Sequence, residues 1–161
     1  MSSNEDFDSG ASGALTTELA DAGRMKPGSL IIMKELWPCK VTAFSTAKPG
    51  KHGSAKAMIT AKDIFTDKQY DETFGTGDMI PRPIVAKIEM TCIDVAEDGN
   101  LSLMNAAGEM LEHLFLPTES HLSDLKPKIK AILDRGTTEC LVQVQKWGER
   151  EQVVAVREGQ D

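Results

Sequence analysis

Hydrophobic and polar positions alternate in short runs along most of the chain. Leu30 to Lys34, Cys39 to Ser45, Ala57 to Phe65 and Lys68 to Phe74 read as strands, with Cys39, Val41 and Ala43 on one face and a turn at Thr66-Asp67. Short strands, tight turns and no helical period between them predict a small barrel. The stretch Met79-Ile80-Pro81-Arg82-Pro83 breaks the alternation. Two prolines remove amide donors and stiffen the chain, which predicts a short inter-domain connector.

Beyond it the pattern predicts a meander of three strands: Val85 to Val95, Leu101 to Asn105 and Met110 to Leu116. Their turns fall at Glu97-Asp98-Gly99-Asn100 and Ala106-Ala107-Gly108. After Pro117 the period changes, and Leu122, Leu125, Ile129, Ile132 and Leu133 recur at helical spacing. Ser123 is the expected cap of this helix, Pro127 falls within its first turn, and Gly136 ends it. Cys140 to Trp147 and Gln152 to Arg157 complete the chain as strands. Three strands, one helix and two strands follow the element order of an OB-fold. The predicted class is all-β with two small barrels: residues 1–26 a flexible acidic tail, 27–83 the first barrel, 84–161 the OB-fold domain.

Charge changes this picture in one place. The chain of 161 residues carries a net −7, which argues against nucleic acid, because polyanions select basic surfaces. The distribution reverses the argument: residues 1–26 carry −3, residues 27–83 carry +2 and residues 84–161 carry −6. No acidic side chain lies between Glu35 and Asp63, whereas Lys40, Lys48, Lys51, Lys56 and Lys62 all do. Such a field is local and directional. No apolar run approaches the roughly 20 residues of a membrane span. Met1 to Gly13 has neither the basic leader nor the apolar stretch of a targeting segment, so a soluble, cytoplasmic protein is expected.

Metal and nucleophile chemistry find little support. Cys39, Cys92 and Cys140 are odd in number, widely spaced and unpaired as CxxC, and read as buried small apolar residues. His52, His113 and His121 share no ligand spacing. Trp37 and Trp147 read as packing or barrel-rim aromatics, with base stacking as the alternative. Lys126, Lys128 and Lys130 read as a solvated helix face.

The informative stretch runs from Ser45 to Lys56, where Gly50 and Gly53 bracket Lys51-His52. Pro49-Gly50 is a turn signal, and the segment lacks large apolar side chains, so Lys51 is expected at an exposed loop apex. Composition alone leaves two readings, a solubilising turn or a phosphate-facing basic tip. A nucleotide-binding loop fails, because Ser45 stands at the first glycine position of GxxxxGK[ST] and His52 where a magnesium-binding hydroxyl is needed. A Schiff-base lysine requires a desolvated pocket that an exposed Gly-rich apex does not offer.

The run Ser45-Thr46-Ala47-Lys48-Pro49-Gly50-Lys51-His52-Gly53-Ser54-Ala55-Lys56 resembles the hypusine loop of the translation initiation factor 5A family, whose pattern reads STSKTGKHGHAK. Pro38-Cys39-Lys40-Val41, Asp63-Ile64-Phe65-Thr66, Asp98-Gly99-Asn100-Leu101-Ser102-Leu103 and Gly108-Glu109 are similar to family segments in the same order, and the likeness covers about residues 25–157. The resemblance implies an N-terminal SH3-like barrel joined to a C-terminal OB-fold, and a translation factor rather than an enzyme.

It further implies that Lys51 is the modified residue. Deoxyhypusine synthase would add an aminobutyl group from spermidine and deoxyhypusine hydroxylase would hydroxylate it, while the chain itself uses no cofactor. Lys48, Pro49, Gly50, His52, Gly53 and Lys56 would be the loop residues that contact ribosome and tRNA. The implied partners are the ribosome, near its exit site, and the peptidyl-tRNA; a weak homodimer is left open. Pro49 stands where the family has Thr and stiffens the turn. Ser54 replaces the family's second histidine and removes an aromatic, partly cationic group. The competing reading is a general single-stranded RNA-binding OB-fold protein that needs no lysine modification.

Overall fold

Residues 16–48 and 55–160 are described by the computed structural model, and they divide between Ile84 and Val85 into two compact units. In the first unit, β2 (Leu30–Met33), β3 (Trp37–Ala47), β4 (Lys56–Asp63) and β5 (Gln69–Gly75) form an antiparallel sheet in that order, and β1 (Thr17–Asp21) pairs with β6 (Met79–Pro83). The core residues Ile31, Met33, Cys39, Val41, Ile59, Ala61 and Ile80 come from both sheets. This is the SH3-like barrel.

Two expectations need correction here. Order begins well before Pro27, because Thr17–Asp21 is a strand and the 3-10 turn Ala22–Arg24 buries Ala22 completely. The proline-rich stretch is also a strand rather than a connector, in register with β1 from Thr17↔Pro83 to Asp21↔Met79. Pro81 and Pro83 are two apart, so their missing amides fall on one edge of the strand. Ile84, of opposite parity, donates its amide to the Thr16 carbonyl at 2.8 Å. The prolines therefore face away from the partner and remove no bond of the ladder.

Turn chemistry sets the hairpins. Lys34 (φ 54°) and Glu35 (φ 62°) take left-handed backbone, and the Leu36 amide closes their turn on the Met33 carbonyl at 3.1 Å. Two successive left-handed residues give a tight turn whose twist suits the right-handed twist of the strands it joins, within a three-residue connection, Lys34 to Leu36, between the paired Met33 and Trp37. They end β2 at Met33, one residue short of the expected Lys34. At the far end of β4, the buried Asp63 accepts bonds through Oδ1 from the amides of Phe65 (2.7 Å) and Thr66 (3.0 Å). Its carboxylate thus ends the strand at Asp63, where the hydrophobic pattern had run on to Phe65.

The second unit is a five-stranded antiparallel sheet in the order β11-β10-β7-β8-β9, built from β7 (Ala86–Val95), β8 (Leu101–Met104), β9 (Met110–Leu111), β10 (Cys140–Trp147) and β11 (Arg150–Glu158). One helix, α1 (Leu125–Arg135), packs Leu125, Ile129 and Ile132 against Leu101, Leu103, Val142, Val144 and Val153. The expected OB-fold element order is present. Two details differ from expectation. Strand β9 is two residues long; beyond it the Asn100 side chain donates to the carbonyls of Glu112 (2.9 Å) and Leu114 (3.2 Å), and pairing resumes only as an isolated bridge, Asn100↔Phe115. Ser123 is not the helix cap: it closes a 3-10 turn, Ser120–Leu122, with helical backbone (φ −66°, ψ −17°), and Asp124 precedes α1. Gly136 ends the helix in left-handed conformation as expected, at φ 66°.

Candidate functional site

The sequence places its chemistry on the connection between β3 and β4. Of the predicted site residues, Lys48 and Lys56 are described and both are exposed. Pro49, Gly50, Lys51, His52 and Gly53 lie outside the described residues. The geometry available is therefore that of the base on which they stand.

That base is a long hairpin. Strand β3 runs for 11 residues and pairs with β4 from Cys39↔Asp63 to Ala47↔Lys56. The register shifts between Val41 and Ala43, so Thr42 is an extra residue, and its hydroxyl donates to the Thr60 carbonyl at 3.2 Å. A bulge re-aims every later side chain by one position. Ala43, expected beside Cys39 and Val41 on the core face, is exposed, and Phe44 turns toward the core, opposite Ile59. The sequence signal was present, since alternation breaks at Ala43-Phe44, where the small residue falls on the predicted core face and the large one off it.

At Ala55 the descending limb of the loop is tied to the body through backbone. The Ala55 carbonyl accepts the Thr76 amide at 3.1 Å, and the Thr76 carbonyl accepts the Gly23 amide at 3.1 Å. Gly23 also donates to Asp21 Oδ1 at 2.8 Å. A Cβ on Gly23 would lie 2.6 Å from the Thr76 oxygen, closer than side chains approach. Residue 23 is glycine for that reason, a role that neither composition nor periodicity reveals.

Electrostatically the hairpin is a one-sign surface. Lys40 and Lys62 stand directly opposite each other across β3 and β4, an arrangement that destabilises a sheet by itself. Lys62 reaches Asp67 at 3.9 Å, while Lys40, Lys48 and Lys56 have no ion pair among the described residues. Exposed cations of this kind are suited to phosphate oxygens, which position a nucleic acid without reading its sequence.

Trp37, the α1 lysines and the cysteines take structural positions. Trp37 stacks on Tyr70 with ring centroids 5.9 Å apart and planes 11° apart. Lys126, Lys128 and Lys130 are exposed on α1, with Lys128 2.8 Å from Asp124. All three cysteines are buried and free. Burial pushes the Cys39 and Cys92 thiols up to about 12, which disfavours a thiolate nucleophile. Among the described residues no three His, Cys, Asp or Glu side chains gather as a metal site, and no helix is long and apolar enough to cross a membrane.

Comparison with known proteins agrees across both units. Residues 16–77 match the family described as translation initiation factor 5A-like, N-terminal, and residues 84–157 match that described as eukaryotic elongation factor 5A hypusine, DNA-binding OB fold. The chain is 39% identical over 153 residues to a eukaryotic translation initiation factor 5A of Dictyostelium discoideum, covering 95% of this chain and 92% of the relative. It is 35% identical over 152 residues to eukaryotic translation initiation factor 5A-2 of Arabidopsis thaliana, covering 94% and 92%. Among solved structures, a translation initiation factor 5A family protein from Naegleria fowleri superposes with a TM-score of 0.78 at 37% identity, covering 89% of this chain and 99% of the other.

Proposed function

Because this chain belongs to the translation initiation factor 5A family, we propose that it works in the cytoplasm as a ribosome-bound factor whose active group is a hypusine at Lys51. The observation that carries the proposal is the glycine-bracketed Lys51-His52 sequence at the end of a bulged, lysine-lined hairpin free of acidic residues from Leu36 to Lys62. Lys48 and Lys56 flank the loop and would meet backbone phosphates, fixing its position.

In this proposal deoxyhypusine synthase transfers an aminobutyl group from spermidine to the Lys51 amine, and deoxyhypusine hydroxylase adds a hydroxyl. The extended side chain carries a second basic nitrogen on a long stem. It can enter a narrow space lined by RNA that the strand backbone cannot. Bound near the exit site, it would order the acceptor end of the peptidyl-tRNA. Holding that end raises the share of reactive geometries for peptide-bond formation at difficult sequences such as prolines, and for termination. The factor makes no bond itself.

The test is the mass of the Lys51 peptide from protein made in its own cells, together with Lys51→Arg. A hydroxylated aminobutyl addition on Lys51, and loss of proline-run translation in the variant with bulk RNA affinity nearly unchanged, are expected. An unmodified Lys51 in cells that hold both enzymes refutes the proposal. A modest, uniform fall in RNA affinity with translation intact would point to a general single-stranded RNA-binding protein.

A further inference from the structure

The two cysteines of the second unit stand in a relation that their distance in sequence hides. Strands β7 and β10 are antiparallel neighbours, and their register sets Cys92 directly opposite Cys140. Directly opposed residues share one face, with Cβ atoms roughly 4.5–5.5 Å apart. A disulfide spans about 3.5–4.5 Å between Cβ atoms, so the pair is within a small strand movement of bonding distance. Both side chains are 2% exposed and lie in the core with Met90, Leu103, Ile129 and Val142.

The backbone can supply that movement. The pairing of β7 with β8 shifts register between Cys92 and Asp94, and the Cys92 thiol donates to the Asp94 carbonyl at 3.6 Å. A bulge is where a strand bends most easily. Cys140 is the first residue of β10, where ladder restraint begins. Cys39 offers an internal contrast: it lies in the other unit and faces Asp63, so it has no thiol across the ladder.

We infer that Cys92 and Cys140 are a cross-strand dithiol that closes to a disulfide when the protein meets a disulfide oxidant. One cysteine thiolate attacks a small disulfide RSSR, forming a mixed disulfide and releasing RS⁻. The second thiolate attacks the protein sulfur of that mixed disulfide, forming the Cys92–Cys140 bond and releasing the second RS⁻. The two protons lost by the cysteines end on the two RSH; the cysteines are oxidised and the small disulfide is reduced. Burial raises both thiols above their ordinary value, so exchange is slow and proceeds as the strand start opens. The bond would join β7 to β10 around β8, β9 and α1, locking the helix-bearing segment of the OB-fold.

The full chain is incubated in native buffer with oxidised glutathione in excess over reduced, alkylated, and mapped by mass spectrometry without reduction. The expected result is a loss of two hydrogens in intact mass, a Cys92–Cys140 linked peptide, and a higher urea midpoint for the second unit that returns on reduction. Cys39→Ser retains the link, whereas Cys92→Ser and Cys140→Ser lose it. The wild-type map decides the matter even where a variant folds poorly. Free alkylated Cys92 and Cys140, glutathione adducts without a link, or a link through Cys39 would each overturn the inference.

Discussion

Asp63 is the residue on which the β4–β5 hairpin turns, and its replacement separates two contributions of opposite sign. Oδ1 accepts the amides of Phe65 and Thr66 at 2.7 and 3.0 Å, whereas Oδ2 is buried without a partner among the described residues. Hydrogen bonds to a charged acceptor contribute about 1.5–3 kcal/mol each, so truncation to Ala forfeits about 3–6 kcal/mol. It also removes a carboxylate that is 2% exposed, recovering a few kcal/mol of desolvation penalty. The balance for Asp63→Ala is a loss of about 2 kcal/mol. Asp63→Asn keeps an oxygen on both amides at roughly half the strength and removes the buried charge as well, so it stays within about 1 kcal/mol of the parent.

Trp37 reports on this unit because it stacks on Tyr70 of β5. In a Trp147→Phe background, urea unfolding followed by Trp37 fluorescence should show the Ala variant about 2 M below the parent, for a slope near 1 kcal/mol per M. The Asn variant should fall less than half as far. Equal losses for Asn and Ala would refute the argument, since charge rather than acceptor geometry would then hold the turn. An Ala variant indistinguishable from the parent would refute it as well.

Two further outcomes follow from other contacts. Gly23→Ala drives a methyl into the Thr76 oxygen that the Gly23 amide binds; it should cost about 1–3 kcal/mol and speed hydrogen exchange at the amides of Gly23 and Thr76, and unchanged protection at Thr76 would contradict it. Glu158 accepts from Thr138 Oγ1 at 2.9 Å and from Arg135, and these bonds, Thr138's first, hold its carboxyl below the ordinary 4.5. A depressed folded value means that this contribution is present above pH 4.5 and fades as pH falls through the folded pKa. Glu158→Gln should therefore flatten the acid limb of the second unit's stability below pH 4.5, read by Trp147 fluorescence in a Trp37→Phe background, and superimposable limbs would count against it.

Much of this fold was legible because burial imposes a period. The alternation of β4, the helical spacing of Leu125, Ile129 and Ile132, and the left-handed glycine after α1 all follow local rules that survive in the folded chain. What escaped was non-local. Thr17–Asp21 has no period of its own, and its strand exists because Met79–Pro83 pairs with it. The prolines of that partner argue against a strand until the direction of their missing amides is known. Ser123 was a reasonable cap by composition, but the preceding 3-10 turn claims its backbone. The candidate site was legible as pattern alone: glycines, lysines and the absence of acids marked the loop. Of its anchors, Thr76 and Gly23 act through backbone geometry that side-chain chemistry does not record, and Thr42 marks a bulge that only the register of β3 on β4 reveals.

The pairing of β1 with β6 also fixes an order in time. A ribosome delivers this chain from its amino end, so Thr17–Asp21 emerges first and its partner, Met79–Pro83, last of all the strands in that unit. Until then the nascent chain can curl β2 to β5 on itself, but Ile80 is absent from the core and the carbonyl of Asp78 is not there to receive the Ala22 amide. The opening strand must wait, unpaired, through the synthesis of everything it will enclose. Long-range closure of this kind is slow and leaves strand edges exposed during translation. A chain broken off before Met79 would thus be left open-edged and unable to close its first barrel.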